Sequence, residues 1–419
     1  MIPLRLISPI LGSGIVLCVQ AGTTAWAEEP RSTPYALSEI LALALERSPT
    51  LASAAGVVKQ GHGQQLAADA YPNPTISGGA GKGSIRDPST GISIIEHTVT
   101  VEQPVEWSGK RRARKAAADA GLAGASAGLQ EARLSVAADV KVAFYQLLLA
   151  QRDNELAMQN TAAVEEVLRT VKLRVAAGEA TSFDAMKANV ELQKAQKDTA
   201  RARNALIVAR SRLNTSTAGS LGKAFSIEGD FQALSTAVDQ DLLLKQAFEQ
   251  HPALRRLSKL AEQAEHSVRF EREARVPTIG VMGQYHREAG DESIIAGLSV
   301  PLPLWYQRQG EIETALGVKD RADAERLRAQ NELEQAITQH VQDVRTAQEQ
   351  LVVFETGLLK QAEQTLTVAR TSFRQGAASL LDVLDAQRVY RQTLLEYAQV
   401  RADLSIALVR LERAVGPPI

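Results

Sequence analysis

Long stretches of this chain place apolar residues three and four positions apart, which is the spacing of a helix with one buried face. Neither 105–251 nor 304–416 contains a proline. The clearest apolar seams are Leu358, Ala362, Leu366, Ala369 and Phe373, followed by Leu404, Leu408, Leu411 and Val415. The pattern predicts very long helices in coiled-coil-like pairs, and 109–177 alone would extend for roughly 100 Å at about 1.5 Å per residue.

A second pattern, alternation of apolar and polar residues, occurs in short stretches and is typical of strands with two different faces. Val99 and Val101, for example, alternate with threonine and glutamate. The predicted elements are strand hairpins at about 75–103 and about 277–300, with polar loops at 83–91 and 287–293. Strands of about 8–11 residues are long enough to cross a bilayer when they are tilted.

The order of these elements occurs twice along the chain. Pro49-Thr50-Leu51 recurs as Pro252-Ala253-Leu254, and Pro74-Thr75-Ile76 recurs as Pro277-Thr278-Ile279, in both cases 203 residues later. Pro104 and Trp107 have counterparts in Pro301 and Trp305. Solenoid repeats are much shorter, at about 20–50 residues. The pattern therefore predicts a duplicated module, with a first repeat at 28–230 and a second at 231–419.

Each long helix pair turns at a matched tip. Gly178 and Gly376 lie where a helix is expected to end in the left-handed conformation. Thr181 and Asp184 in the first tip, and Ser379 and Asp382 in the second, have the spacing of capping boxes that begin a returning helix. The sequence predicts two tight helix hairpins, with tips near 178–184 and 376–385.

Composition adds to this picture in two ways. Aromatic residues make up only 4% of the 419 residues, which favours long helices over a globular sandwich. The net charge is −1, so the charge balance gives no reason to expect nucleic acid as a partner.

The amino terminus has the pattern of a secretory signal peptide. Arg5 is followed by an apolar stretch that is too short to span a bilayer, and Ala25-Trp26-Ala27 fits a cleavage site. We predict a signal peptide at 1–27 and an exported mature chain. Cys18, the only cysteine, lies inside this segment; lipidation there is disfavoured because Leu17 precedes it, so the mature chain would have no disulfide. No later stretch reaches about 20 apolar residues, so strands would have to make any membrane crossing.

With these features, the chain resembles the TolC-type outer-membrane efflux family over nearly its whole mature length. The resemblance rests on the duplication, the two strand hairpins, the long helix pairs and a tip motif formed by Gly376, Asp382, Leu384 and Asp385. The first half keeps Gly178 and Asp184 but has Lys187 where the second has Asp385. Segments that resemble the CzcC-like branch from cobalt–zinc–cadmium resistance pumps are 71–74, 102–111 and 300–305.

The resemblance implies a mainly α fold with a small β part, assembled as a homotrimer. Each copy would give four strands to a shared twelve-stranded barrel in the outer membrane, and its helices would form a periplasmic tunnel. Physical reasoning agrees with self-association, because four strands cannot close a barrel and open strand edges in lipid are costly. The implied partners are a periplasmic adaptor protein, an inner-membrane RND pump and outer-membrane lipid.

The resemblance also suggests roles for the tip residues. Asp382 and Asp385 would ring the tunnel entrance as gate and pore residues, although Asp382 is equally explained as a capping carboxylate, and Arg388 could pair with Asp385. Contacts with the adaptor are expected at the tip, where simple turn chemistry is the alternative. The expected contact residues are Gly178, Thr181, Asp184, Gly376, Ser379, Leu380 and Leu381.

A second group of candidates lies where the long helices would leave the barrel. Lys110 and Arg111, within a cluster of cations at 110–115, are expected to anchor at the membrane interface, with an electropositive tunnel element as the alternative. Trp107 and Trp305 fit an interfacial aromatic belt, with ordinary packing as their alternative.

Catalytic and metal-binding patterns are missing from the sequence. The six histidines are scattered without ligand spacing, so we predict no resident metal, no cofactor and no enzymatic activity. The resemblance implies an outer-membrane duct for divalent heavy-metal cations, the outer-membrane channel of a tripartite efflux system, extending into the periplasm of a Gram-negative cell. The alternatives are a duct for drugs or type I protein secretion, and a soluble periplasmic coiled-coil scaffold.

Overall fold

The structure is a computed structural model that describes residues 34–91, 93–222, 224–233, 239–288 and 290–416. The predicted signal peptide at 1–27, including Cys18, lies outside the described residues.

Helices dominate the described part of the chain. The first half contains α1 (Leu37–Arg47), α2 (Pro49–Asp69), β1 (Thr75–Arg86), β2 (Ser93–Val105), α3 (Ser108–Ala176) and α4 (Ser182–Ser216). The second half contains α5 (Gln240–Gln250), α6 (Pro252–Glu273), β3 (Ile279–Glu288), β4 (Asp291–Ser299), α7 (Gln309–Val353), α8 (Leu359–Arg374) and α9 (Leu380–Val415). The prediction of a mainly α chain with four strands is confirmed.

The four strands form one antiparallel sheet in the order β1-β2-β3-β4, so the two hairpins join through β2 and β3. The register places Ile76 opposite Val101, and Val281 opposite Leu298, on the same face of the sheet. That face exposes its large apolar side chains, which are Ile76, Ile95, Val99, Val101, Val105, Ile279, Val281, Ile294 and Leu298. The opposite face is mostly polar. The strands β1 and β4 are the two open edges of the sheet.

The helix α3, 69 residues long, runs the length of the helical part and connects its two ends. Its first half packs on α2 and α6, where Gly61 of α2 comes close to Leu122 and Gly124 packs against Lys259. Its second half packs on α4 and α9. The helices therefore form a layer positioned between the sheet and the two hairpin tips.

Apolar clusters hold this layer together at three levels. A central cluster joins α1, the middle of α3 and the end of α9 around the fully buried Phe144 and Leu213, and Tyr35 forms a parallel bridge with Ile227 beside it. A second cluster packs α5 and α7 on α9. A third lies just above the tips and joins α3, α4, α8 and α9.

Two sequence expectations about boundaries were wrong. The predicted polar loops were too long, because β1 continues to Arg86 and β4 begins at Asp291. Arg86 pairs with Ser93, and Glu288 pairs with Asp291, so backbone pairing continues through polar residues up to the turns. Polar side chains at the ends of a hairpin give no alternation from which this pairing could be read.

The second long helix pair is also interrupted, which the lack of proline did not indicate. A π-helical turn at Phe354–Leu358 separates α7 from α8. Phe354 stays buried and contacts Tyr397 of α9, whereas Leu358, assigned to the apolar seam from the sequence, is 39% exposed. A π turn contains an extra residue relative to an α turn, so it shifts the buried face beyond it.

No helix among the described residues is both long and apolar enough to span a membrane. The boundaries of the two repeats at 28–230 and 231–419, and the trimeric barrel, stay predictions.

Candidate functional site

The two hairpin tips have nearly the same backbone geometry. Gly178 and Gly376 end their helices with φ of +78° and +79°. Beyond them, the Glu179 N–H donates to the Arg174 carbonyl and the Ala377 N–H to the Ser372 carbonyl, both at 2.8 Å. These bonds close the helix ends in the manner of a Schellman cap, and a side chain on either glycine would strain the turn.

The returning helices α4 and α9 begin with the two capping boxes. The Thr181 hydroxyl donates to the Asp184 carboxylate at 2.7 Å, and the Ser379 hydroxyl donates to the Asp382 carboxylate at 2.7 Å. The N–H groups of both aspartates donate back to these hydroxyls at 3.2 Å. Hydrogen bonds from Thr181 and Ser379 lower the pKa of the two carboxyl groups. Asp382 is thus engaged in starting α9, and its role at a pore stays a prediction.

Asp385, one turn further along α9, has a different environment. Its side chain is 64% exposed, and the guanidinium of Arg388 approaches it at 3.5 Å. The same guanidinium lies 3.9 Å from Glu191 of α4. Asp385 is therefore the more accessible carboxylate of the pair, as a gate residue would need to be.

An open groove of about 930 Å³ lies between α8 and α9 beside the second tip. Its floor and walls include Val368 from α8, and Leu381, Asp385 and Val389 from α9. Leu381 is 64% exposed, whereas its neighbour Leu380 is buried in the apolar cluster above the tips. Leu381 can therefore contact a partner, while Leu380 contributes to the fold; the predicted adaptor contacts themselves remain untested.

A buried polar layer between the two hairpins was missed from the sequence. Gln387 of α9, only 8% exposed, donates to Asn160 of α3 at 3.3 Å and accepts from Arg370 of α8 at 2.6 Å. Arg391 of α9 donates to Asp198 of α4 at 3.0 Å. The signal was present, because Gln387 and Arg391 interrupt the apolar seam of α9, but the sequence does not reveal their partners.

Most of the cations at the start of α3 form hydrogen bonds and ion pairs with other residues of the same chain. Arg111 donates to the carbonyl and the carboxylate of Asp69, at 2.7 and 2.9 Å, which ties α3 to the end of α2. Arg114 binds Glu106 at 2.7 and 3.0 Å, and Lys110 lies 3.6 Å from Glu106. The hydrogen bond from Arg114 lowers the pKa of this largely buried carboxyl group. The membrane-interface role predicted for Lys110 and Arg111 stays a prediction, beside the structural role that these contacts show.

The two tryptophans at the sheet–helix junctions differ in their surroundings. The Trp107 indole N–H donates to Glu273 at the end of α6, at 2.9 Å, and the side chain is half exposed. Trp305 is 91% exposed, and Leu302, Leu304 and Tyr306 around it are exposed as well. Packing therefore accounts in part for Trp107 but not for Trp305, and the membrane-interface role of both stays a prediction.

The polar face of the sheet carries several carboxylates. Glu102 lies over Gly280, whose lack of a side chain leaves room for it. Near the far end, His286 lies between Glu96 and Glu288, with nitrogen–oxygen distances of 3.6 and 3.8 Å. The two carboxylates approach opposite nitrogens of the ring and do not converge on one point. Within the part of the chain that the structure describes, no three metal-binding side chains are grouped to hold an ion.

Comparison with protein families gives one match that covers most of the chain. The profile of the Outer membrane efflux protein family matches residues 40–219 and 243–417, one segment in each half.

Individual similar proteins are metal-resistance proteins and outer-membrane channels. The chain is 27% identical to the cobalt-zinc-cadmium resistance protein CzcC of Cupriavidus metallidurans, over 94% of each chain. It is 26% identical to the nickel-cobalt-cadmium resistance protein NccC of Alcaligenes xylosoxydans xylosoxydans, over 79% of this chain and 75% of the relative. Its fold is similar to the crystal structure of the CmeC outer membrane channel of Campylobacter jejuni, with a TM-score of 0.79, 17% identity, and coverage of 98% and 94%.

Proposed function

This chain belongs to the Outer membrane efflux protein family, and from that premise we propose that it forms the outer-membrane channel of a tripartite RND-type efflux system for divalent heavy-metal cations. The family consists of transport proteins, so the protein acts by conducting its cargo. In this proposal three copies assemble, and each gives its four strands to one barrel in the outer membrane.

The uncovered apolar face of the sheet is the observation that carries the proposal. Nine large apolar side chains on this face lie exposed among the described residues, while the opposite face is mostly polar. A lipid-facing apolar surface and a polar lumen are the two sides of a transmembrane barrel. The edges β1 and β4 are open, and unpaired backbone groups are too costly in lipid to remain so. Pairing of β4 with β1 of another copy closes the barrel.

The cargo is inferred from the relatives and from the polar face. Two relatives are named for resistance to cobalt, cadmium and either zinc or nickel. Carboxylates such as Glu96 and Glu102 on the polar face would attract cations into the lumen. Dispersed rather than clustered carboxylates suit a duct, because conduction requires weak sites that release the ion. The adaptor and the inner-membrane pump supply the energy and the directionality.

Growth of a deletion strain tests the proposed cargo. The strain is compared, with and without the gene restored, on zinc, cobalt, cadmium, nickel, copper and silver, with a panel of organic toxicants alongside. We expect sensitivity to one or more divalent metals that the restored gene reverses. Sensitivity confined to organic compounds would remove the metal assignment and favour a duct for drugs. No change on any compound would count against an efflux role under these conditions and favour secretion.

Fractionation tests the channel itself. We expect the protein in the outer membrane, extracted only with detergent, and as an oligomer whose mobility in gels changes on heating. Release as a soluble protein without detergent would contradict the channel and favour a periplasmic scaffold.

A further inference from the structure

The positive charges of the sheet are gathered at one end of one face. The four strands contain three lysine and arginine residues, which are Lys82, Arg86 and Arg287. The register places Arg287, Lys82 and Arg86 opposite positions 97, 95 and 93 of β2, in that order away from the helices. Positions two apart on a strand share a face, so all three cations lie on the face that exposes the apolar side chains, Ile95 among them.

The carboxylates at this end of the sheet lie mostly on the other face. Glu96, Glu288 and Asp291 are on the polar face, which carries no lysine or arginine among its described, paired residues. The apolar face has Glu292, whose carboxylate lies 3.6 Å from the Arg287 guanidinium, with both side chains more than half exposed. At the turn end, the charge is therefore positive on the apolar face and negative on the polar face.

Two of the three cations have no ionic partner in the described part of the chain. Lys82 and Arg86 are exposed, and among the described residues neither makes a hydrogen bond or an ion pair through its side chain. The carboxylate of Asp87, next to Arg86, instead accepts from the N–H groups of Ser89 and Thr90, at 2.7 and 3.2 Å, and so closes the turn. The positive charge of Lys82 and Arg86 is therefore available to a partner outside the chain.

The cations begin where the apolar band of the sheet ends. The band starts at Val105, next to the helices, and its last row without a charge contains Val99. Arg287 stands in the next row, roughly 27 Å along β2 from Val105 at about 3.4 Å per residue. A tilt of about 40° turns this length into roughly 20 Å of membrane thickness, and Lys82 and then Arg86 lie roughly 5 Å further each, across the edge of a lipid-facing band about 25 Å tall.

We propose that Lys82, Arg86 and Arg287 bind phosphate groups of the lipid in the outer leaflet of the outer membrane. The inference rests on the proposed channel, because a barrel whose apolar face meets lipid brings this patch to the level of the headgroups. The helices leave the sheet at its other end, so a periplasmic position of the helices puts the patch at the outer surface. Phosphate suits the patch, because lysine and arginine donate charge-assisted hydrogen bonds to its oxygens.

The three side chains are close enough to bind one lipid that carries two phosphates. Neighbouring strands are about 4.8 Å apart, and positions two apart on a strand are about 7 Å apart. Lys82 and Arg86 therefore lie roughly 7 Å from each other on one side of β2, and Arg287 lies roughly 12 Å from Lys82 on the other side. Lys82 and Arg86 can thus share one phosphate, and Arg287 can reach the second.

A carboxylate of the neighbouring copy is the competing partner. In the proposed barrel β1 pairs with β4 of another copy, and β4 carries Glu292 on the same face as the cations. One carboxylate, already beside Arg287, cannot neutralise three cations. The excess of positive charge, and its position at the edge of the apolar band, favour lipid phosphate.

Lipid A with and without its phosphates tests the inference directly. The full-length channel is purified in a neutral detergent and titrated with bis-phosphorylated or with dephosphorylated lipid A, and the bound lipid is counted by native mass spectrometry. We expect the wild-type trimer to bind the phosphorylated lipid roughly ten- to thirty-fold more tightly, with a difference that shrinks at high salt. Equal binding of the two lipids would overturn the inference.

Substitution of the two unpaired cations identifies the patch. Lys82→Gln with Arg86→Gln should weaken the binding of phosphorylated lipid A almost to the level of the dephosphorylated lipid, because Arg287 alone remains. The matched control is Lys59→Gln with Lys360→Gln, which removes the same charge from exposed positions on α2 and α8 and should bind lipid as the wild type does. Unchanged binding in the first variant, or an equal loss in the control, would contradict the assignment.

Heat resistance of the oligomer distinguishes the competing partner. It is measured on gels after bound lipid has been removed. We expect Lys82→Gln with Arg86→Gln, and separately Glu292→Gln, to retain the heat resistance of the wild type. A matched loss in both variants would assign the cations to the seam between copies and overturn the lipid inference.

These results can be separated from a failure of the proposed function. Wild-type protein that neither fractionates with the outer membrane nor conducts in a planar bilayer would remove the channel itself. Wild-type protein that is trimeric and conducts, but binds both forms of lipid A equally, would remove only the inference about phosphate.

Discussion

Two carboxylates near the second tip, Asp382 and Asp385, lie one helical turn apart but have different partners. The hydroxyl and N–H groups of Ser379 donate to Asp382, so this carboxylate is tied to the first turn of α9. Asp385 is largely exposed, and within the described part of the chain its one ion-pair contact is with Arg388, at 3.5 Å. At the scale of single residues, the structure shows that Asp382 caps α9, while the gating role of both aspartates stays a prediction.

The first prediction compares amide variants of these two aspartates. Asp385→Asn should raise single-channel conductance or leakiness in a planar bilayer, because it removes a charge that would hold the entrance closed. Asp382→Asn, the matched control, should mainly loosen the tip, because the amide is a weaker acceptor for the N–H of Ser379. Unchanged conductance in Asp385→Asn would exclude it from gating.

The second prediction concerns the cap itself. Ser379→Ala removes the hydroxyl that accepts from the Asp382 N–H and should destabilise the start of α9 by about 1 kcal/mol. Hydrogen exchange should show faster exchange of the amides that begin α9. Thr181→Ala should give the same result at the first tip and leave the second unaffected. Faster exchange at both tips in either variant would mean that the tips are coupled rather than capped independently.

The third prediction compares the two junction tryptophans. In variants that retain only one of them, lipids with brominated acyl chains should quench Trp305 more strongly than Trp107. Trp305 is almost fully exposed, whereas the Trp107 indole is held by Glu273. Equal quenching would contradict the difference in environment, and no quenching of Trp305 would contradict its interfacial role.

At the scale of elements, His251 links the start of α6 to the end of α9. Its Nδ1 accepts from the Ala253 N–H at 3.2 Å, and its Nε2 lies 3.2 Å from the Arg413 carbonyl. Only the neutral ring, with its proton on Nε2, makes both hydrogen bonds. Burial lowers the pKa of this histidine from its usual value of 6.5, with Glu131 and the Arg413 charge as the nearby ionised groups.

The fourth prediction follows from that lowered pKa. The unfolded chain takes up the proton first, so the stability due to neutral His251 is present above pH 6.5 and is lost as the pH falls towards the lower folded pKa. His251→Asn keeps a side chain that can cap α6 but does not titrate. Thermal unfolding of the variant should depend less on pH between about 7.5 and 5.5 than that of the wild type. His62→Asn, at an exposed position on α2, is the control; an unchanged slope in His251→Asn would contradict the assignment.

At the scale of the whole molecule, we expect the sheet and the helical layer to have different functions. The two parts meet at the sheet–helix junctions near Trp107 and Trp305. The sheet has one apolar and one polar face, and Arg111 at the start of α3 ties that helix to the end of α2 through Asp69. The hairpin tips lie at the opposite end of α3. We therefore expect ion selectivity at the polar face of the sheet and closure at the tips.

The fifth prediction tests this division. Glu102→Gln on the polar face should lower the permeability for cations relative to anions, measured as a shift of the reversal potential in a salt gradient. Glu292→Gln is the matched control, because the register places Glu292 on the opposite face, where its partner is Arg287. A shift of equal size in both variants would mean that the polar face does not line the lumen.

The sequence by itself determined the elements and the tips, because their signals are local. Helical periodicity, strand alternation, left-handed glycine and capping boxes all depend on residues within a few positions of one another. Gly178, Gly376 and both capping boxes could therefore be predicted residue by residue. The duplication added the global order, since the second half repeats the first.

The tertiary structure alone decided which side chains meet across the layer. Gln387 and Asn160 are 227 residues apart, and the partner of the cation Arg111 is Asp69 at the end of another helix. Such contacts depend on how α3 and α9 are packed, and no local pattern encodes them.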